Sequence, residues 1–162
     1  MPKQPDIPTN KKRIIFLALM ALLLISGAML FNAPKQSEII EVRFPSGAKL
    51  QAEVADTPEK LLFGLSFREG MPDNEGLSFL FEKSVLHKVW TKGFKFYVDL
   101  IWVNESKHVV HVKEAAEPCK EDLCPWHGPP PENARYVIEG NSGFIQKAEV
   151  ELGEKLVFAL RM

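Results

Sequence analysis

HKVWTKGFKFYVDLIWV, residues 87–103, is the most apolar and aromatic run outside the N-terminal segment, and it still carries charge within it. Read with a period of two, Phe96, Val98, Leu100 and Trp102 fall on one face of a strand, and Tyr97, Asp99, Ile101 and Val103 on the other. Both faces are apolar, which predicts a central strand covered on both sides. Asp is depleted from strands and almost never buried without a partner, so Asp99, flanked on its face by Tyr97 and Ile101, requires one. Lys92, just upstream across a turn at Gly93, is the nearest group able to serve. Such a buried pair is either an architectural clamp or the floor of a site.

Working outward, the flanking segments also read as short strands. Ile39 to Phe44, a turn at Pro45-Ser46-Gly47, and Lys49 to Ala55 form an expected hairpin. Asp56-Thr57-Pro58-Glu59 supplies a capping side chain and then proline in the first turn, so a helix opens there, with Leu61, Leu62 and Leu65 facing inward and Gly64 closing it. Leu77 to Phe81, Leu86 to Thr91, His108 to Lys113, Arg135 to Glu139 and Lys155 to Leu160 are expected strands, and Ser142 to Val150 a short helix. A proline-rich loop spans Ala115 to Asn133. The expectation is a small strand-dominated α+β domain with a curled or barrel-like sheet and one or two short helices.

One transmembrane helix should precede it. Residues 14–31, IIFLALMALLLISGAMLF, run for 18 positions without a charge and follow Lys11-Lys12-Arg13. At 1.5 Å per residue that is about 27 Å of helix, close to the hydrocarbon thickness of a bilayer. The basic cluster keeps the tail cytoplasmic and places the rest outside. Ser26-Gly27-Ala28 offers the small residues of a signal-peptidase site, but Met29-Leu30-Phe31 continues the apolar run and favours an uncleaved anchor. The expected organisation is a cytoplasmic tail over residues 1–13, an anchor over 14–31, a linker over 32–37 and an extracytoplasmic domain over 38–162. The tail carries a net charge of +3 from Lys3, Lys11, Lys12 and Arg13 against Asp6, which leaves −4 on the remainder and argues against a nucleic-acid surface.

With these segments in place, AEVADTPEKLLFGLSFRE, NEGLSFLF, VWTKGFKFYVDLIWV, EPCKEDLCP and ARYVIEG together resemble the family catalogued as domain of unknown function 192, over about Ala52 to Val157. The resemblance implies a compact fold and an extracytoplasmic home, with no settled activity. Where that family usually has methionine and asparagine after the tryptophan, this chain has Thr91 and Gly93, and Tyr97 stands in place of a proline, while Lys92 and Asp99 are kept.

Arg68, Glu75, Lys92 and Asp99 match charged positions of those motifs and, with Trp90, form the expected ligand-binding cluster. Guanidinium and ammonium groups suit the carboxylate or phosphate oxygens of a small polar ligand. The plainer account of the same charges is a set of salt bridges tying loops to the sheet. Cys119 and Cys124 are expected to form a disulfide in an oxidising compartment. A metal set drawn from them with His111 and His127 does not match a standard zinc spacing, and no metal or cofactor is expected. His108 and His111 fall on opposite faces of a strand, and Trp126 with Pro129-Pro130-Pro131 either forms a docking surface or stiffens the loop. A glycine-rich phosphate loop, a G-x-S-x-G elbow and an H-E-x-x-H helix are absent. The expected role is a membrane-tethered domain binding a small polar ligand or an envelope protein. The alternatives are a hydrolytic or metal-assisted enzyme using Glu75 and Asp99, or Cys119, Cys124 and His127, and an accessory domain of an envelope complex.

Overall fold

The computed structural model describes residues 9–31 and 38–160, so the expected linker and most of the expected tail lie outside the described residues. The chain divides into two compact units, residues 1–36 and 37–162. The first holds helix α1, Thr9–Phe31. The expected span reaches past Ser26, the last residue of α1 whose side chain is described, and among the described residues no helix is long and apolar enough to cross a membrane.

The second unit is α+β. Strands β1 (Ile39–Arg43), β2 (Lys49–Ala55), β3 (Glu75–Val85), β4 (Val98–Val103), β5 (Val109–Ala116), β6 (Ala134–Asn141) and β7 (Val157–Leu160) form one mixed sheet in the order β5-β4-β6-β3-β2-β1-β7. Helices α2 (Pro58–Phe63) and α3 (Phe144–Lys147) are short. The hairpin at Pro45-Ser46-Gly47 pairs β1 with β2 as expected. The pairing of β2 with β3 is parallel, because α2 carries the chain back across the sheet between them.

The expected barrel-like closure is not made. The hydrogen-bonded ladder ends at β5 on one side and β7 on the other. The two edges do approach at one end, where Val109 donates to the Glu154 carbonyl at 3.0 Å and accepts from the Gly153 amide at 2.8 Å. The sheet is therefore curled and open. Inside the curl, Ile40 and Val42 of β1 meet Ile101 and Val103 of β4 and Val109 of β5, strands far apart in the sheet order. On the outer face Leu77, Phe79, Leu100, Trp102 and Val137 are covered by Leu65, Val89 and Phe94.

All six residues of β4 are buried, as its doubly apolar pattern requires, although it lies second from an edge and β3 takes the middle place. Ile101 and Val103 belong to the inner core, and Val98, Leu100 and Trp102 to the outer one. Trp102 is fully buried because its Nε1–H has a partner, the His87 carbonyl at 3.0 Å. Burying each of these large side chains contributes about 1.5–3 kcal/mol.

Two local expectations need correction. Thr57 caps α2, accepting from the Lys60 amide at 3.3 Å, and Gly64 closes it at φ +50°. Yet only Leu65 of the three leucines is buried; Leu61 is half-buried and Leu62 is 53% exposed, because the helix ends after six residues and the buried leucine lies beyond it. Leu86 to Thr91 is not a strand. A single bridge joins Val89 to His127, so the segment pairs with the proline-rich loop instead of the sheet. That loop holds the Cys119–Cys124 disulfide, with Cα atoms 5.8 Å apart, and Cys119 is stitched to the same segment by bonds to Thr91 and Gly93.

Candidate functional site

The expected charge cluster does not assemble. Asp99 is fully buried, but its partners are backbone amides: Oδ1 accepts from Ala115 and Oδ2 from Ile145, each at 2.9 Å. It thereby pins the left-handed residue Ala115 (φ +46°) at the end of β5 and the first turn of α3. Lys92 points elsewhere, donating to the Asp122 carbonyl at 3.1 Å with its ammonium 6.0 Å from the Trp90 ring centroid. Glu75 is exposed at the start of β3. Gly93 has φ +75°, a backbone that glycine or asparagine tolerates, so its exchange for the family's asparagine preserves the turn.

Arg68 does meet acids, though not the expected ones. It pairs with Glu53, which also takes Lys60 at 3.4 Å. Register places Glu53 of β2, Leu77 of β3, Glu139 of β6 and Leu100 of β4 in one row across the outer face. Glu139 is fully buried, and neither carboxyl oxygen has a hydrogen-bond partner among the described residues. Burial pushes its carboxyl up to about 8, while the charge of Arg68 pulls the other way. A buried, unpartnered acid with a displaced titration is a recognised marker of function. The sequence carried the signal: Glu139 follows Val137 on one face of an apolar strand, the pattern that singled out Asp99.

Above Glu139 lies a groove of about 250 Å³ walled by Phe63, Gly64, Phe79, Trp90, Phe94 and Trp126. The indoles of Trp90 and Trp126 stack at 4.8 Å between centroids and 11° between planes. The disulfide-closed loop makes this contact, because Cys119 and His127 bond to the segment that carries Trp90. A second groove adjoins it between Phe63, Phe67, Trp90 and Lys92, with Phe67 76% exposed and Trp126 54% exposed. Lys88 lines the first groove and Lys92 the second; among the described residues no carboxylate lines either.

His127 sits beside this region, Nε2 3.5 Å from Thr91 Oγ1, and burial followed by the charge of Lys113 holds its imidazole below the ordinary value. His87 stacks on Phe81 at 3.7 Å, and His111 lies 5.1 Å from the Trp102 ring. Among the described residues no three His, Cys, Asp or Glu side chains are grouped to hold a metal ion.

A curled, open mixed sheet carrying an aromatic groove on its outer face defines the class. The chain belongs to the DUF192 family, described as Uncharacterized ACR, whose profile matches residues 40–158. Two solved structures share the fold. A putative transcription regulator from Sinorhizobium meliloti 1021 is 22% identical, with 78% of this chain and 97% of that chain covered and a TM-score of 0.66. A protein of unknown function from Novosphingobium aromaticivorans DSM 12444 is 24% identical, with 74% of this chain and 83% of that chain covered and a TM-score of 0.63. No curated protein matches the sequence.

Proposed function

We propose that this protein is a membrane-tethered binding domain on the extracytoplasmic side, held by residues 14–31 with its N-terminus in the cytoplasm, and that it takes a ring-bearing small ligand in the aromatic groove. The observation that carries the reading is the open groove with stacked indoles and exposed Phe67, Leu62 and Trp126 around it. Contiguous exposed apolar surface of this kind in a soluble fold marks a binding face. The lysines at its edges, with no carboxylate opposing them, suit an uncharged or anionic ring. The tether is supported by the uncharged run after Lys11-Lys12-Arg13, and export by the Cys119–Cys124 disulfide. On this reading the ligand is flat and largely apolar, where the sequence alone pointed to a small polar one.

The test uses full-length protein in lipid nanodiscs and 1-naphthoate as probe. Indole N–H resonances of Trp90 and Trp126 should shift on titration while that of buried Trp102 stays still, and Trp90→Ala should abolish binding. Unmoved Trp90 and Trp126 signals at millimolar probe would remove the reading. Alkaline phosphatase fused after Met162 should be active in cells; an inactive fusion would put the domain in the cytoplasm.

A further inference from the structure

Glu139 is the group the fold leaves unexplained. Asp99, Arg68, Lys60 and Lys92 each have bonded partners, whereas both oxygens of Glu139 are without one among the described residues. The side chains beside it in its row, Leu77 and Leu100, have nothing to donate. Of the charged groups over that face, Arg68 is held by Glu53 of β2, and Lys60 of α2 by the same carboxylate and by the Val54 carbonyl at 3.0 Å. A fold with no use for this carboxyl would be better served by an apolar side chain of the same volume.

The carboxyl lies just behind the wall of the groove. Oε2 is 3.6 Å from the point where a Cβ on Gly64 would stand, and the Cζ atoms of Phe79 and Phe94 are 3.1 and 3.4 Å from that point. Gly64, Phe79 and Phe94 all line the groove, so only two ring edges and a residue without a side chain separate it from the acid.

We infer that Glu139 is the polar anchor of the aromatic groove, accepting an N–H or O–H carried on the edge of a ring-bearing ligand that displaces the Phe94 edge beside Gly64; this rests on the binding reading above and names the ligand class. Burial favours the neutral form of the acid, which accepts through its carbonyl oxygen, donates through its O–H, and disfavours the ion pair an ammonium would need. Lys88 and Lys92 at the groove edges repel an ammonium as well. The ligand class is therefore a neutral or anionic aromatic or heteroaromatic ring with a ring N–H or hydroxyl, neither a cation nor a bare hydrocarbon.

Indole and 1-methylindole share the ring and differ in the N–H. Binding of each to the full-length protein, measured by calorimetry at pH 7, should favour indole by about tenfold, the effect of one buried hydrogen bond. In Glu139→Leu the two should bind alike, whereas Glu139→Gln, which keeps a carbonyl acceptor, should retain the preference. A second readout needs no variant: the Glu139 carboxyl carbon resonance should move with indole and not with 1-methylindole. Equal affinities in the wild type, an unmoved carboxyl resonance, or a preference that survives Glu139→Leu would overturn the inference while leaving the groove a binding site. Failure of both probes to bind the wild type would overturn both readings together.

Discussion

Asp99 and Glu139 are both fully buried carboxylates on neighbouring strands, one on each face of the sheet, and the fold treats them in opposite ways. Asp99 accepts two backbone amides at 2.9 Å and fastens the end of β5 and the start of α3 to β4. Glu139 accepts nothing among the described residues, and burial raises its titration to about 8. The difference lies in what approaches each face. On the inner face two chain segments turn free amides toward Asp99. On the outer face Gly64 and the rings of Phe79 and Phe94 stand beside Glu139, and among the described residues no donor reaches its oxygens. A charge inside an apolar strand is therefore an incomplete description until the donors around it are counted: one of these acids stabilises the fold, and the other is tolerated by it.

The contrast breaks most readily at Asp99. Asp99→Ala leaves the buried Ile145 amide and the part-buried Ala115 amide without their acceptor, so the variant should lose about 3 kcal/mol in urea unfolding followed by tryptophan fluorescence. A loss under about 1 kcal/mol would mean that water or other groups replace the carboxylate and that it is no clamp. Arg68→Met sharpens the other side. Removing the one charge that favours the ionised form should move the Glu139 titration further up, read from its carboxyl carbon resonance, with little change in stability because the pair with Glu53 is partly exposed. An unmoved titration would place Arg68 out of electrical reach. The smallest effect on the fold is expected at Trp126→Ala, about 1 kcal/mol or less, since its ring is half exposed and meets mainly Trp90. The same change should abolish probe binding; a large loss of stability would make the indole stack part of the core.

The period-two reading of residues 98–103 placed every side chain of β4 on its observed face, because both of its faces are buried and the apolar pattern alone sets the register. The disulfide was legible from Cys119 and Cys124 lying close together in one loop. The partner of Asp99 was not. Its donors are backbone amides 16 and 46 residues away, and a backbone amide has no letter of its own in a sequence. Lys92 was the nearest visible cation, and nearness along the chain misled. The strand expected over Leu86 to Thr91 failed for a related reason: its backbone bridges at Val89 to His127 of the proline-rich loop, a distant partner that the local apolar pattern does not reveal. Of the expected site residues, Trp90 and Lys92 line the grooves, Arg68 lies over the acidic row, and Glu75 and Asp99 belong elsewhere. Phe63 and Phe67 reach the groove because α2 stops at Gly64 and turns them outward.

That Glu139 is held at the expense of stability is tested most directly by unfolding the wild type and Glu139→Leu side by side between pH 5 and 9. In the unfolded chain the carboxyl ionises near 4.5, and in the folded protein near 8. Between those values the folded state holds a proton that the unfolded state has lost, so wild-type stability should fall as pH rises, by up to about 1.4 kcal/mol per pH unit from this group. Below the window both states are protonated and above it both are ionised, and the slope from this group disappears. Glu139→Leu has no such proton. The account predicts a variant more stable than the wild type throughout, by a margin that widens from pH 5 to 8 and then levels. A variant less stable than the wild type, or a margin that does not change with pH, would contradict it.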